Sequence, residues 1–169
     1  VDIGRKLVDA KVERPAGEKL VRWALKEGLP SPLFAPAMKM GQMVRGLLPA
    51  GLKAKVPAPQ DAGRWPNAQH ARKVLMLAGC VQPSMSPNIN TATARVLDAA
   101  GIQTVTAPKA GCCGALKFHL NDHDGGKDHM RANIDAWWPL VESGEVEAIV
   151  MNASGCGVMV KDYGHVLKG

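Results

Sequence analysis

The sequence lacks the features by which several classes of protein are recognised. No apolar run approaches the length of about 20 residues that a membrane-spanning helix needs, and no secretory leader is expected. Aromatic residues make up only 4% of the 169 residues and do not alternate with basic ones, so a nucleic-acid partner is not expected. No Gly-x-Gly-x-x-Gly follows a strand pattern, which argues against flavin or nicotinamide binding in this chain. No Ser/His/Asp or paired-carboxylate constellation is present, so no catalytic residue is predicted.

Cysteine is scarce, and its pattern is informative. The chain has four cysteines and no Cys-x-x-Cys, the spacing typical of zinc knuckles and of thiol–disulfide enzymes. Without an export signal we expect a cytoplasmic location, where thiols stay reduced. Such thiols serve metals or redox chemistry rather than structural disulfides.

Positive charge is concentrated in the first 66 residues. They carry 12 Lys/Arg and 6 Asp/Glu, a net charge of +6, whereas residues 67–169 carry 9 of each. A solvated helix face is the simplest interpretation. An acidic partner or an anionic membrane surface stays open.

Residues 1–66 are predicted to be helices broken by proline, followed by a linker. Apolar residues share a helical face in 3–12 and again in 20–25, and a third helix is predicted over 34–48. Met38, Val44 and Leu47 lie at helical spacing on that third helix, and its methionines are interpreted as core packing rather than as a cofactor lining. Residues 49–67, rich in proline and glycine, are predicted to be a linker.

Residues 67–169 change to a strand-and-helix pattern. Short apolar runs predict strands at residues 73–78, 102–106 and 147–152. Helical patterns predict helices at residues 89–100, 126–141 and 158–167, the second carrying Trp137 and Trp138 against the sheet. This alternation predicts an α/β fold, a short parallel sheet covered by helices, with an α-helical N-terminal extension.

All four cysteines follow predicted strands. Cys80 follows the first, Cys112 and Cys113 the second, and Cys156 the third, and each has a glycine beside it. The carboxyl ends of parallel strands lie along one edge of a sheet, where ligands bind. We therefore expect the four thiols to converge on one site.

Several kinds of site would satisfy this pattern. Four thiolates hold an iron–sulfur cluster, and they also suit zinc, although adjacent Cys112 and Cys113 are an awkward zinc pair. Burial of the cysteines as small core residues is the simplest alternative. A cluster of histidines and aspartates at 119–129 is interpreted as a solvated loop that caps a helix, with His119 kept as a candidate contact of the site.

The strings Gly111-Cys112-Cys113-Gly114 and Asn152-Ala153-Ser154-Gly155-Cys156-Gly157 resemble the cysteine-rich CCG domain. That Rossmann-like domain occurs in the cysteine-rich subunit of heterodisulfide reductase and in the iron–sulfur subunits of glycolate oxidase (glycolate dehydrogenase). The chain is similar to the middle part of the latter. The resemblance implies one [4Fe–4S] cluster on Cys80, Cys112, Cys113 and Cys156, in a domain of residues 67–169 within a longer polypeptide.

The resemblance also implies a role. It is that of an electron-transfer subunit, rather than the substrate-binding subunit, of a flavin-linked dehydrogenase of glycolate or D-lactate. Electrons would pass from a flavin-containing subunit towards the quinone pool, with peripheral association at the inner face of the membrane. One residue departs from the pattern: Ala153 stands where the family has a further cysteine, which weighs against a catalytic cluster like that of heterodisulfide reductase. A zinc-stabilised docking scaffold is the other alternative.

Overall fold

A small parallel sheet with helices around it follows a set of N-terminal helices. The structure is a computed structural model that describes residues 2–168. The N-terminal helices are α1 (Asp2–Lys11), α2 (Ala16–Gly28), α3 (Phe34–Met43) and α4 (Ala50–Lys53), with a 3₁₀ turn at Arg45–Leu47. The sheet region contains β1 (Arg72–Met76), α5 (Gln82–Met85), α6 (Pro87–Ala99), β2 (Ile102–Val105), α7 (Ala115–His119), α8 (His123–Glu142), β3 (Ala148–Val150) and α9 (Ser154–Val166).

The sheet has the strand order β2-β1-β3, and both pairings are parallel. Val74 of β1 lies opposite Thr104 of β2 and Ala148 of β3. Because β1 is central, its apolar run is inaccessible to water, with Leu75 0% and Met76 1% exposed. The predicted α/β class is confirmed, and its parallel strands place their carboxyl ends at one edge.

The core lies between this sheet and helices α7, α8 and α9. Its buried residues include Leu75, Leu77, Phe118, Met130, Trp137, Met159 and Tyr163. Burial of these side chains drives the helices onto the sheet. The prediction that both tryptophans pack there is half wrong, because Trp137 is 3% exposed whereas Trp138 is 55% exposed. Adjacent residues on a helix point about 100° apart, so only one of the pair faces the core.

The N-terminal helices do not form a comparable core. None of residues 3–73 is fully buried. The interpretation of the methionines of α3 as core residues is therefore wrong: Met38 is half-buried, and Met40 and Met43 are exposed. The third predicted helix ends early, at Met43, and α4 lies within the segment predicted as a linker. The division into residues 1–66 and 67–169 stays a prediction.

Ion pairs attach α2 to the cysteine-rich part of the chain. Lys26 Nζ lies 3.2 Å from Asp122 Oδ2, and Lys117 Nζ lies 2.9 Å from Glu27 Oε2. Asp122 is also the N-cap of α8, where its side chain accepts a hydrogen bond from Gly125 N–H. The predicted helix-capping role is confirmed for Asp122, but the predicted loop is shorter than expected, because residues 123–129 already lie within α8. No helix within residues 2–168 combines the length and hydropathy required to span a bilayer.

Candidate metal centre

The four cysteines line one cavity of about 650 Å³ at the carboxyl edge of the sheet. They reach it from three separate strand ends, as the sequence predicts. Most of the remaining wall is apolar and includes Leu77, Val81, Met85, Leu116 and Met151. The structure therefore brings together thiols as far apart in sequence as positions 80 and 156.

Cys80 lies on the loop between β1 and α5 and is half-buried. The preceding Gly79 has a φ of +82°, a left-handed conformation that is unstrained only for glycine. This turn follows the end of β1 at Met76 and directs the chain around the cavity. The pKa of the Cys80 thiol is lowered to about 7, chiefly because the Cys112 thiol donates a hydrogen bond to it.

Cys112 and Cys113 lie between β2 and α7, and each is 4% exposed. The next residue, Gly114, has a φ of +84°, and a Cβ placed on it would lie 2.5 Å from Gly126 O. Only glycine allows this loop to approach α8 so closely. The result is that two adjacent thiols lie deep in the molecule rather than on its surface.

Cys156 is half-buried and lies in the first turn of α9. The sequence predicted this helix to begin at residue 158, after the cysteine, but it begins at Ser154. The bond from Gly157 N–H to Ala153 O, at 2.9 Å, closes the first turn. Two glycines in that turn have low helix propensity, so the sequence alone does not predict that the helix begins there. Ala153 also lines the cavity.

The thiols interact with one another in the order Cys80, Cys112, Cys113, Cys156. The pKa of Cys113 is lowered to about 3 because the thiols of Cys112 and Cys156 both donate hydrogen bonds to its sulfur. The pKa values of Cys112 and Cys156 are raised, first because each thiol donates a hydrogen bond to the Cys113 sulfur.

The donor set that the cysteines bring to the cavity consists of four thiols. Within residues 2–168, no three or more His, Cys, Asp or Glu side chains are arranged so that they could hold a metal ion. The four cysteines line the wall of one cavity. Thiolates are the ligands of iron–sulfur clusters, so the residue types fit such a group.

His119 lies at the rim of the same cavity. Arg5 Nη1 lies 2.7 Å from its Nδ1. Arginine can only donate, so Nδ1 is the acceptor and carries no proton in this contact. Asn121 Nδ2 donates to Arg5 O at 3.3 Å, so α1 is attached beside the cavity through these polar contacts.

A network of amide side chains joins two of the cysteine-bearing loops, and sequence reasoning missed it. Gln82 Nε2 donates to Asn152 Oδ1 at 2.7 Å and to Asn90 Oδ1 at 2.6 Å. Asn90 Nδ2 in turn donates to Ala78 O at 3.0 Å. These bonds hold the loop that follows β1 against the loop that follows β3. Nothing in the local sequence pattern marks these amides as partners.

Comparison with known proteins agrees with this geometry. The family model for the cysteine-rich domain, CCG, matches residues 74–161 and so includes all four cysteines. The chain belongs to the CCG cysteine-rich domain family. No solved structure gives a significant match.

Curated relatives extend the comparison, and they confirm the predicted resemblance. The chain is 49% identical over 170 residues to the glycolate oxidase iron-sulfur subunit of Escherichia coli (strain K12), covering 99% of this chain and 42% of that protein. It is 36% identical over 97 residues to the probable glycolate oxidase iron-sulfur subunit of Bacillus subtilis (strain 168), covering 57% of this chain and 21% of that protein. Lactate utilization protein A of an Exiguobacterium species is 23% identical over 95 residues, 56% of this chain and 37% of that protein. The chain spans less than half the length of each of these relatives.

Proposed function

We propose that this chain carries electrons on one [4Fe–4S] cluster held by Cys80, Cys112, Cys113 and Cys156. The observation that supports this most strongly is the meeting of four thiols from three strand ends in one apolar cavity. Relatives named as iron-sulfur subunits add independent support. Pure structural burial of four cysteines would not require them to share a single cavity.

The residues around the thiols suit an electron carrier. A bound cluster supplies one-electron oxidation and reduction. The chain's own contribution is to hold four thiolates and to exclude water with apolar walls such as Leu77, Leu116 and Met151. Burial and hydrogen bonding at the sulfurs tune the potential of such a group. No general acid or base is needed for this role.

Anaerobic reconstitution with iron and sulfide tests the proposal. We expect about four irons per chain and an electron paramagnetic resonance signal after reduction with dithionite. The variants Cys112→Ser and Cys113→Ser should lose both. Met151→Leu, which changes the cavity wall without removing a thiol, is the matched control and should keep them. Binding of zinc alone, with no reducible signal, would instead favour a zinc-stabilised docking scaffold.

The proposed setting is a complex that oxidises glycolate or D-lactate. Its flavin-containing subunit would reduce this chain, which would pass electrons towards the quinone pool while associated with the inner face of the membrane. The names of the relatives support this, since two refer to glycolate oxidase and one to lactate utilization. Substrate oxidation would belong to the flavin subunit, because no catalytic constellation was found in this sequence.

A stopped-flow experiment tests this assignment. The reconstituted chain is mixed with a flavin-containing glycolate oxidase subunit, and glycolate or D-lactate is added as the reductant. We expect the visible absorbance of the cluster to fall only when the flavin subunit is present. Bleaching by either acid without that subunit would contradict the proposed division of labour.

A further inference from the structure

Asn133, in the middle of α8, is 1% exposed within an otherwise apolar core. A buried amide is destabilising unless its donors and acceptor find partners. Asn133 finds three. The hydrogen bonds therefore explain why this core position holds an amide. A leucine would fill the same space but could not form them.

The partners of Asn133 lie on the loop that carries two of the cysteines. Its Oδ1 accepts a hydrogen bond from Gly111 N–H at 2.8 Å, and its Nδ2 donates to Cys112 O at 2.8 Å. The same Nδ2 donates to Tyr163 OH at 3.2 Å. That hydroxyl, on α9, donates to Cys113 O at 2.8 Å. Two side chains from two helices thus bind the backbone of three consecutive residues.

These bonds hold the loop in a conformation that the site requires. Consecutive side chains of an extended backbone point to opposite sides. Cys112 and Cys113 nevertheless line the same cavity, so their backbone is turned. Hydrogen bonds to the carbonyl groups of Cys112 and Cys113 hold that turn, because the segment has no neighbouring strand to pair with within residues 2–168.

The same bonds also fix the direction of two peptide N–H groups. A peptide is planar and trans, so its C=O and N–H groups point in opposite directions. The Cys113–Gly114 peptide accepts a hydrogen bond from Tyr163 at its C=O, so its N–H points away from that hydroxyl. The Cys112–Cys113 peptide accepts one from Asn133 at its C=O, so its N–H points away from that amide.

We propose that Asn133 and Tyr163 are positioning residues, which fix the Cys112–Cys113 backbone so that both thiols and two peptide N–H groups face the cluster. The inference rests on the proposed function, because the cluster is what the thiols would hold. Neither residue touches the cavity. Their effect is exerted through the loop that they bind.

The variants Tyr163→Phe and Asn133→Leu test this, with Val146→Ala as the matched control. Val146 is 6% exposed in the same core but precedes β3, at the other edge of the sheet. We expect the two positioning variants to lose the cluster about 10- to 100-fold faster than the parent, as other supporting contacts of metal ligands do. Their midpoint potential should fall, because N–H bonds to sulfur stabilise the reduced, more negative cluster. Val146→Ala should lower stability and leave the potential unchanged.

A second measurement uses the chain without its cluster. Alkylation of the Cys112 and Cys113 thiols, followed by mass spectrometry, should be about 10-fold faster in Tyr163→Phe, the factor expected for the loss of one buried hydrogen bond. In Val146→Ala, the alkylation rates of Cys112 and Cys113, each divided by the rate of Cys80, should equal those of the parent. Potentials, loss rates and alkylation ratios that match those of Val146→Ala would overturn the inference. If the parent chain takes up no iron, the proposed function fails, while the alkylation comparison still decides the role of Asn133 and Tyr163.

Discussion

The helices of the CCG domain and the N-terminal helices differ in which side chains make their contacts. In α8 the apolar side chains of Met130 and Trp137 are buried, at 0% and 3% exposure. In α2 the charged residues Lys26 and Glu27 pair with the CCG domain, whereas apolar Leu20 is 64% exposed. The CCG domain is therefore stabilised by apolar burial, and the N-terminal helices are attached to it through polar contacts.

Because they are stabilised differently, the two parts should respond to different perturbations. Apolar burial resists salt and changes of pH, whereas exposed ion pairs are screened by salt and depend on the charge of their carboxylates. A polar contact also joins α3 to α5, where Gln42 Nε2 donates to Ser84 O at 3.3 Å. Core mutations should therefore unfold the CCG domain, and ionic conditions should loosen the helices.

The largest expected effect is from Leu75→Ala in the central strand. Leu75 is 0% exposed, so truncation leaves a cavity and should lower the free energy of unfolding by about 2–5 kcal/mol. Urea denaturation followed by circular dichroism measures it. Leu20→Ala, at a site that is 64% exposed, is the control and should change stability by no more than about 0.5 kcal/mol. Equal losses at the two sites would contradict the comparison.

A smaller loss is expected from Gly114→Ala at the turn beside Cys113. A left-handed backbone alone costs a non-glycine residue about 1–2 kcal/mol. The new Cβ would also lie 2.5 Å from Gly126 O, so α7 and α8 would have to separate.

Gly164→Ala is the matched control, because a Cβ there has nothing within 4 Å. Gly164 lies inside α9, so this change should stabilise the protein by roughly 0.5–1 kcal/mol. Thermal unfolding of the two variants should therefore shift in opposite directions. A neutral Gly114→Ala would show that the α7–α8 approach is not needed.

The smallest expected effect is the release of α2 by acid or salt. The pKa of Glu27 is lowered, chiefly by a hydrogen bond from Lys117. Burial raises the pKa of Asp122, but the Lys26 contact and the Gly125 N–H outweigh it, so the net shift is downward. These carboxylates therefore stabilise the attachment above their unfolded pKa values of about 4, and the contribution is lost as the pH falls through the folded pKa values.

Hydrogen exchange, corrected for intrinsic rates, measures this release. Amides of α2 should lose protection between about pH 5 and pH 3, while amides of β1 keep theirs. High salt at neutral pH should act in the same direction, because it screens the ion pairs. Loss of protection in α2 and β1 together would show that the two parts unfold as one unit.

The sequence predicted the sheet well for a physical reason. Each strand is a short apolar run between polar residues and turns. A run of this length is typical of a buried strand and can be identified from the local sequence. The observed bounds of β1, β2 and β3 lie within two residues of the predicted ones at each end. Because strand ends were correct, the convergence of the four cysteines on one cavity could be predicted too.

Short helices and helix starts were predicted less well. Helices α5 and α7 have four and five residues, too few to show a helical period. Helix α9 begins at Ser154, ahead of Cys156, in a glycine-rich stretch that propensity alone assigns to a loop. Tertiary packing decides such segments, since an isolated short helix is unstable.

Local apolar patterns in the sequence are enough to specify the α/β class, the strands and the position of each cysteine at a strand end. Packing between distant segments decides which side of α2 faces the CCG domain, which of Trp137 and Trp138 is buried, and that Asn133 and Tyr163 hold the backbone of the cysteine pair. One cause applies to all three. These features are contacts between residues far apart in the chain, and such contacts leave no periodic trace in the sequence around either partner.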